Sequence, residues 1–178
     1  SLVGSEMCIR DSNITIMKKL LIALAMFTSL SASAKQDADV LGVAFGSTCE
    51  ETVQKLSKDY GTPKTQSADK LVYLNEMFEG FKADRVELGF QEVQGTTKLN
   101  QARFYFVCPS KAAAIAKMKS LAKKMETHYS VSYDEEDGGT AFYKGGSSPL
   151  GIGSLFTIFV SPYQGKWTCQ LRYGKFQY

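Results

Sequence analysis

Two stretches decide the fold: Asn100-Gln101-Ala102-Arg103-Phe104-Tyr105-Phe106 and Cys169-Gln170-Leu171-Arg172-Tyr173-Gly174-Lys175-Phe176. Both carry the short signature Gln-x-Arg-aromatic. Around the first stretch, over Leu99–Cys108, side chains alternate with the period of a β-strand that has one buried face. On this pattern the arginine of each signature points away from the apolar face.

Each signature closes a segment with the same predicted order of elements. The first segment opens with a helix, because Ser47-Thr48 with Glu50 and Glu51 fits a capping box. The second opens at Pro109-Ser110 with a helix that we expect from Lys111 to about Glu126. Predicted strands follow at Leu71–Phe78, Phe81–Phe90 and Leu99–Cys108, and then at Tyr129–Tyr133 continuing into Ala141–Lys144, at Leu155–Val160 and at Lys166–Phe176.

This repeated order predicts an α+β fold. We expect a tandem α-β-β-β repeat, covering about residues 40–108 and 109–178. Two helices would pack on one face of a curved antiparallel sheet, since each element must bury an apolar face against another.

Met17–Ala34 has the layout of a secretory signal peptide. A cationic start and an apolar run of about eleven residues precede Ala32-Ser33-Ala34, a cleavage signal that puts Lys35 first in the mature chain. That run is shorter than the ~20 residues of a membrane span. We therefore expect a periplasmic or secreted protein, and we interpret residues 1–16 as non-native read-through.

The remaining residues 35–178 have the length of a single domain. They carry 18 basic and 16 acidic side chains. Such a near-neutral balance does not favour nucleic-acid binding, which needs a strongly basic patch. The mature chain is also expected to lack a transmembrane segment.

Three cysteines follow the signal peptide: Cys49, Cys108 and Cys169. Export to an oxidising compartment favours one disulfide among them. A bridge from the first helix to the sheet, Cys49–Cys169 or Cys49–Cys108, avoids the strain of bonding neighbouring strands. The spacing does not choose between the two pairings.

Catalytic and metal-binding patterns are weak in this chain. His128 is the one histidine, so histidine pairs are excluded and only a dyad with a cysteine stays open. Asp134–Asp137 is a run of acidic residues without the alternating spacing of a calcium loop, and we interpret it as a solvated turn. No enzyme activity, metal or cofactor is predicted.

Arginine is scarce after the signal peptide, with three arginines against fifteen lysines. Arg103 and Arg172 lie beside aromatic residues on the two equivalent strands, which favours a recognition surface. The alternative is a cross-strand pair with Glu87 or another acid. The predicted stacking partners are Tyr105 and Phe176, and the predicted surface also includes Tyr73, Tyr143 and Trp167.

The sequences of Val40–Leu56, Phe78–Val86, Ala102–Met125 and Phe156–Tyr173 resemble those of small secreted proteins of gut Bacteroidales. In architecture these proteins are similar to the β-lactamase-inhibitor-protein fold, a tandem repeat of helices over an antiparallel sheet. The resemblance implies the fold and assigns no site residue.

Together these observations predict a non-catalytic exported binding module. Its outer sheet face would hold an envelope protein or another envelope component. The alternative is a carrier of a small molecule or lipid, with a pocket between the helices and the sheet.

Overall fold

The computed structural model describes residues 38–136 and 139–178. The predicted signal peptide and residues 1–16 lie outside these ranges. The described helices are α1 (Cys49–Tyr60) and α2 (Lys111–Met125), and neither is long and apolar enough to cross a membrane. The strands are β1 (Asp39–Val40), β2 (Val43–Ala44), β3 (Thr65–Gln66), β4 (Lys70–Phe78), β5 (Phe81–Val93), β6 (Thr96–Cys108), β7 (Val131–Glu136), β8 (Thr140–Gly145), β9 (Phe156–Tyr163) and β10 (Lys166–Tyr173).

Both helices begin at the predicted caps. The Thr48 hydroxyl accepts a hydrogen bond from the Glu51 backbone N–H at 3.2 Å, and the Glu51 carboxylate accepts one from the Thr48 N–H at 2.8 Å. This reciprocal pair satisfies two backbone donors that the first turn leaves open. At the start of α2, the Ser110 hydroxyl accepts from the Ala113 N–H at 3.1 Å.

Two-residue turns form the long hairpins of the first half. Glu79-Gly80 joins β4 to β5, as predicted, and Gln94-Gly95 joins β5 to β6. In both turns φ is positive at both residues: 50° and 82° in the first, 51° and 77° in the second. This is the type I′ conformation, whose twist matches that of paired strands, and glycine adopts it without a Cβ clash.

Eight of the described strands form one antiparallel sheet in the order β3-β4-β5-β6-β10-β9-β8-β7. The order is symmetric about its centre. Each half consists of a helix followed by four strands, and the last strand of one half pairs with the last strand of the other. The predicted α+β class, with helices on an antiparallel sheet, is confirmed.

Each half contains one strand more than predicted. In the first half the addition is β3, which has two residues, both exposed. In the second half the predicted continuation of Tyr129–Tyr133 into Ala141–Lys144 is wrong. Val131–Glu136 and Thr140–Gly145 are separate strands of a hairpin. The acidic run, predicted as a turn from Asp134, continues β7 through Glu136 before the chain turns.

The pairing of β6 with β10 is the seam of the sheet. Its register places Arg103 directly opposite Arg172, with Ala102 opposite Tyr173 and Phe104 opposite Leu171. A two-fold rotation that exchanges β6 and β10 places Arg103 at the position of Arg172, and Arg172 at the position of Arg103. The local two-fold axis that relates the two signatures therefore passes between the arginines.

The core lies between the helices and one face of the sheet, the inner face. Helix α2 packs over β6, β9 and β10. The most completely buried large side chains of the sheet are aromatic and branched: Tyr73, Phe104, Phe106, Phe156, Leu71, Leu88, Leu99, Ile158 and Leu171. Removing this apolar area from water is the main stabilising contribution to the fold.

The three cysteines are free, buried thiols, so the predicted disulfide from Cys49 is absent. Two backbone hydrogen bonds of 2.8 Å hold Gly46 and Ser47 beside Leu99, near the start of β6. Cys108 ends the same strand, about 30 Å farther along at about 3.3 Å per residue. A disulfide requires Cα atoms within about 7 Å. The two residues from Ser47 to Cys49 span at most about 7 Å, which leaves the gap far too wide.

Cys108 and Cys169 are the two cysteines that lie close together. Cys169 pairs with Phe106 across the seam, which makes Cys108 its diagonal neighbour on the inner face. The Cys169 side chain is fully buried. Burial raises the pKa of its thiol to about 12, and the nearby Cys108 raises it further in the same direction.

Candidate binding surface on the outer face of the sheet

The sheet has a second face, here called the outer face, which points away from both helices. Most of the buried side chains of α1 and α2 belong to the core cluster on the inner side of the sheet, and in residues 38–136 and 139–178 no helix lies over the outer face. Two adjacent rows of side chains cross its centre: Glu87, Arg103, Arg172 and Thr157 in one row, and Arg85, Tyr105, Gln170 and Phe159 in the next.

The centre of this face gathers charged and aromatic side chains, which we call the outer-face cluster: Arg85, Glu87, Arg103, Tyr105, Phe159, Tyr163 and Arg172. Its three guanidinium groups come from three strands that are neighbours in the sheet: β5, β6 and β10. They are all of the arginines in the part of the chain that the structure describes. With a single carboxylate among them, the cluster has an excess of positive charge.

Glu87 is already engaged by neighbours within the cluster. One of its carboxylate oxygens accepts a hydrogen bond from Arg85 Nε at 2.7 Å, and the other accepts one from the Tyr105 hydroxyl at 3.2 Å. Arg103 lies directly opposite Glu87 in the register, but the ion pair that Glu87 makes is with Arg85. The predicted alternative of an Arg103–Glu87 pair is therefore wrong.

Within the described ranges, neither of the two seam arginines forms an ion pair with a carboxylate. The Nε atoms of Arg103 and Arg172 are buried, and neither has a hydrogen-bond partner among the described residues. The Arg172 guanidinium lies over the Phe159 ring, 5.2 Å from its centre, and not over Phe176 as predicted. Burial lowers the pKa of Arg172, and the positive charge of Arg103 lowers it further.

Aromatic side chains lie next to the arginines on the outer face. The rings of Tyr105 and Tyr163 stack with centroids 4.5 Å apart, although β10 runs between their strands. Underneath, the Gln170 amide donates to the Thr168 hydroxyl at 2.9 Å, and that hydroxyl donates to the Ser161 carbonyl at 2.6 Å. Burial raises the pKa of the Tyr105 phenol, and a hydrogen bond with the Arg103 side chain acts in the opposite direction.

The structure brings together three of the six predicted surface residues: Arg103, Tyr105 and Arg172. The other three lie on the inner side. Tyr73 is buried in the core, 1% exposed, with its ring 6.1 Å from that of Tyr60 in α1. Trp167 and Tyr143 pair with Cys108 and Ile158, two residues of the inner face, and the Lys111 Nζ atom lies 5.5 Å from the Trp167 ring. Phe176 is in the core against Phe45, with ring centres 4.8 Å apart.

Sequence reasoning missed Arg85, Phe159 and Tyr163 as members of the cluster. Arg85 was the third scarce arginine, and it lies two residues before Glu87 on an alternating strand, which was a usable signal. Phe159 and Tyr163 belong to strand Phe156–Tyr163, in which apolar and polar residues do not alternate regularly, so their face followed only from the register with β10.

His128 and the acidic run lie away from the cluster. The His128 ring is half exposed at the end of α2, with Nε2 3.6 Å from a Glu79 oxygen, and it makes no hydrogen bond to any of the three described cysteines. Asp134 forms an ion pair with Lys144 of the next strand, and the Lys144 hydrogen bond lowers the pKa of the Asp134 carboxyl. Over the described ranges, no group of three histidine, cysteine or acidic side chains is placed to hold a metal.

Comparison of the chain with protein-family models, with curated proteins and with solved structures gave no match.

Proposed function

We propose that this chain is an exported, non-catalytic binding module that holds a partner protein of the cell envelope on the outer face of its sheet. The observation that carries the proposal is the seam pair Arg103 and Arg172. Both are partly buried cations whose Nε donors lack a partner among the described residues, and no described helix covers the face on which they lie. Arginine and tyrosine are the residues that most often dominate the binding energy of protein interfaces. The signal peptide expected at Met17–Ala34 supports the location.

The size of the outer face favours a protein as the partner. Eight strands spaced about 4.8 Å apart make a sheet about 34 Å wide. A stable protein interface takes about 800 Å² from each partner, which this width accommodates with the cluster at its centre. Exposed apolar side chains border the cluster on two strands: Leu74 on β4 is 39% exposed and Val107 on β6 is 41% exposed.

The proposal of a non-catalytic role rests on the chemistry of the cluster. It contains guanidinium, phenol and one carboxylate engaged by two donors. Guanidinium groups stay protonated at neutral pH and cannot act as bases. The Tyr105 phenol, with its raised pKa, is a poor nucleophile there. These groups suit recognition better than proton transfer.

No observation favours the alternative of a carrier. The space between α2 and the sheet, where a pocket was predicted, is filled by side chains such as Met118, Leu121 and Met125, which are at most 2% exposed. One described depression of about 380 Å³ lies elsewhere, between Ser148–Ser154 and Gly174–Gln177 at the surface.

Site-specific photocrosslinking tests the proposal. The full chain is exported in a related bacterium with p-benzoylphenylalanine at Val107 or Thr157 on the outer face, or at Ala116 or Lys119 on the solvent side of α2 as matched controls. We expect the two outer-face positions to give the same discrete adduct, identified as an envelope protein by mass spectrometry. The control positions should give none.

Two results would overturn the proposal. One is an adduct that forms from α2 positions and not from the outer face. The other is an outer-face adduct that consists of two copies of this chain, which would replace the partner protein by self-association.

A further inference from the structure

The seam pair of Arg103 and Arg172 has an arrangement that the fold alone does not require. Like charges placed directly opposite each other on adjacent strands are unfavourable, and most sheets avoid them. Here the two side chains are also partly buried, which strengthens their repulsion. An anion between them would remove the penalty.

The open donors of the pair point to the kind of anion. Both Nε atoms are buried and lack a partner among the described residues, whereas the Nε of Arg85 donates to Glu87. Buried donors of this kind normally have an acceptor. The fork of a guanidinium group matches the two oxygens of a carboxylate in its own plane.

We propose that Arg103 and Arg172 together bind the carboxylate of an acidic side chain, presented by the partner protein at the local two-fold axis of the sheet. This inference rests on the proposed function, since a protein-sized face needs a protein as the source of the carboxylate. The Phe159 ring lies against the Arg172 guanidinium, and the Tyr105 ring lies in the adjacent row of the outer face. Arg85, which Glu87 neutralises, takes no part in it.

The test uses the Nε–Hε signals of the full chain in ¹⁵N NMR spectra, assigned with single Arg→Gln variants. The probe is the peptide acetyl-Gly-Glu-Glu-Gly-amide, and the comparison probes are its Gln-Gln analogue and inorganic phosphate. We expect the glutamate peptide to shift the Arg103 and Arg172 signals in a saturable way. The Arg85 signal should move little, because its Nε already has an acceptor.

Charge-matched variants separate a site from general attraction. Arg103→Gln with Arg172→Gln should weaken binding of the glutamate peptide by about tenfold or more, because a hydrogen-bonded charge pair is lost. Lys119→Gln with Lys123→Gln removes the same charge from α2 and should change binding by less than about twofold. Arg103→Lys with Arg172→Lys keeps the charge but loses the fork, and should also weaken binding.

Several outcomes overturn the inference: equal shifts from the Gln-Gln peptide, shifts from phosphate without shifts from the glutamate peptide, or an equal loss of affinity in the lysine variant of α2. Each leaves the proposed function to be judged separately by crosslinking from Val107. Persistent crosslinks with unmoved arginine signals would refute the carboxylate site alone. If the glutamate peptide shifts the Arg103 and Arg172 signals but no crosslink forms from Val107, only the proposal of a partner protein is refuted.

Discussion

Alkaline pH should weaken this fold through Cys169, which makes the thiol a sensitive test of the packing at the seam. The thiol is fully buried, and its pKa is raised from 9.0 to about 12. A pKa that is higher in the folded state means that folding favours the protonated thiol. The resulting stability is complete below pH 9 and is lost as the pH rises toward 12.

The size of the effect follows from the two pKa values. At pH 10 the thiol of the unfolded chain is about nine-tenths ionised, while the folded thiol remains protonated. Between pH 8 and pH 10 this difference lowers the free energy of unfolding by about 1.3 kcal/mol. Buried tyrosines add to the alkaline loss in wild type and variant alike, so the comparison must be made between the two.

The assay is guanidinium chloride unfolding at pH 8 and pH 10, in the presence of a phosphine reductant, for the wild-type chain and Cys169→Ala. We expect the variant to lose about 1.3 kcal/mol less than wild type across this interval. Cys49→Ala serves as the control, because Cys49 has a smaller rise of its thiol pKa. Parallel losses in wild type and Cys169→Ala would refute the argument that this thiol is desolvated at the seam.

Three further predictions concern stability, and each is measured by chemical unfolding. Thr48→Ala should cost about 1 kcal/mol by removing the capping box of α1, and equal stability would mean that the cap is not formed in solution. Phe104→Ala should lower the free energy of unfolding by about 3–5 kcal/mol, because it opens a cavity in the core. Phe159→Ala on the outer face should lower it clearly less. A larger loss for Phe159→Ala than for Phe104→Ala would mean that the inner and outer faces have been assigned the wrong way round. Arg103→Gln with Arg172→Gln should leave the free energy of unfolding unchanged within about 1 kcal/mol, because relief of the repulsion between the arginines offsets the loss of the cation–π contact. A larger loss of stability would mean that the arginine pair is needed for folding.

The sequence was sufficient to predict both helices and the seam strands, because capping and alternation are local signals. Thr48 with Glu51 marks a helix start within four residues, and Arg103 between Ala102 and Phe104 marks which side of its strand is apolar. These signals required no knowledge of the neighbouring elements. The α+β class followed from the same local patterns.

The face of an evenly apolar strand could not be predicted in this way. Leu71, Val72, Tyr73 and Leu74 are all apolar, so the pattern gives no reason to place the tyrosine inside or outside. The register with Val86 decides it, and it puts Tyr73 in the core.

The cysteine pairing failed for a related reason. The prediction treated Cys49 as lying above the sheet without knowing where along β6 the helix begins. The hydrogen bonds to Leu99 fix that position at the end of the strand remote from Cys108. Distances along a strand depend on tertiary contacts that spacing in the sequence does not contain.

The two outermost strands of the described sheet, β3 and β7, bear on the risk that another chain adds to its edges. A free strand edge is a template on which another chain can add, and long apolar edges promote fibre growth. Here β3 offers only Thr65 and Gln66, and β7 carries Asp134, Glu135 and Glu136 in succession. Short length at one end and clustered negative charge at the other both discourage strand addition. The two edge strands of the described sheet therefore resist the addition of further strands, although no described helix covers the outer face.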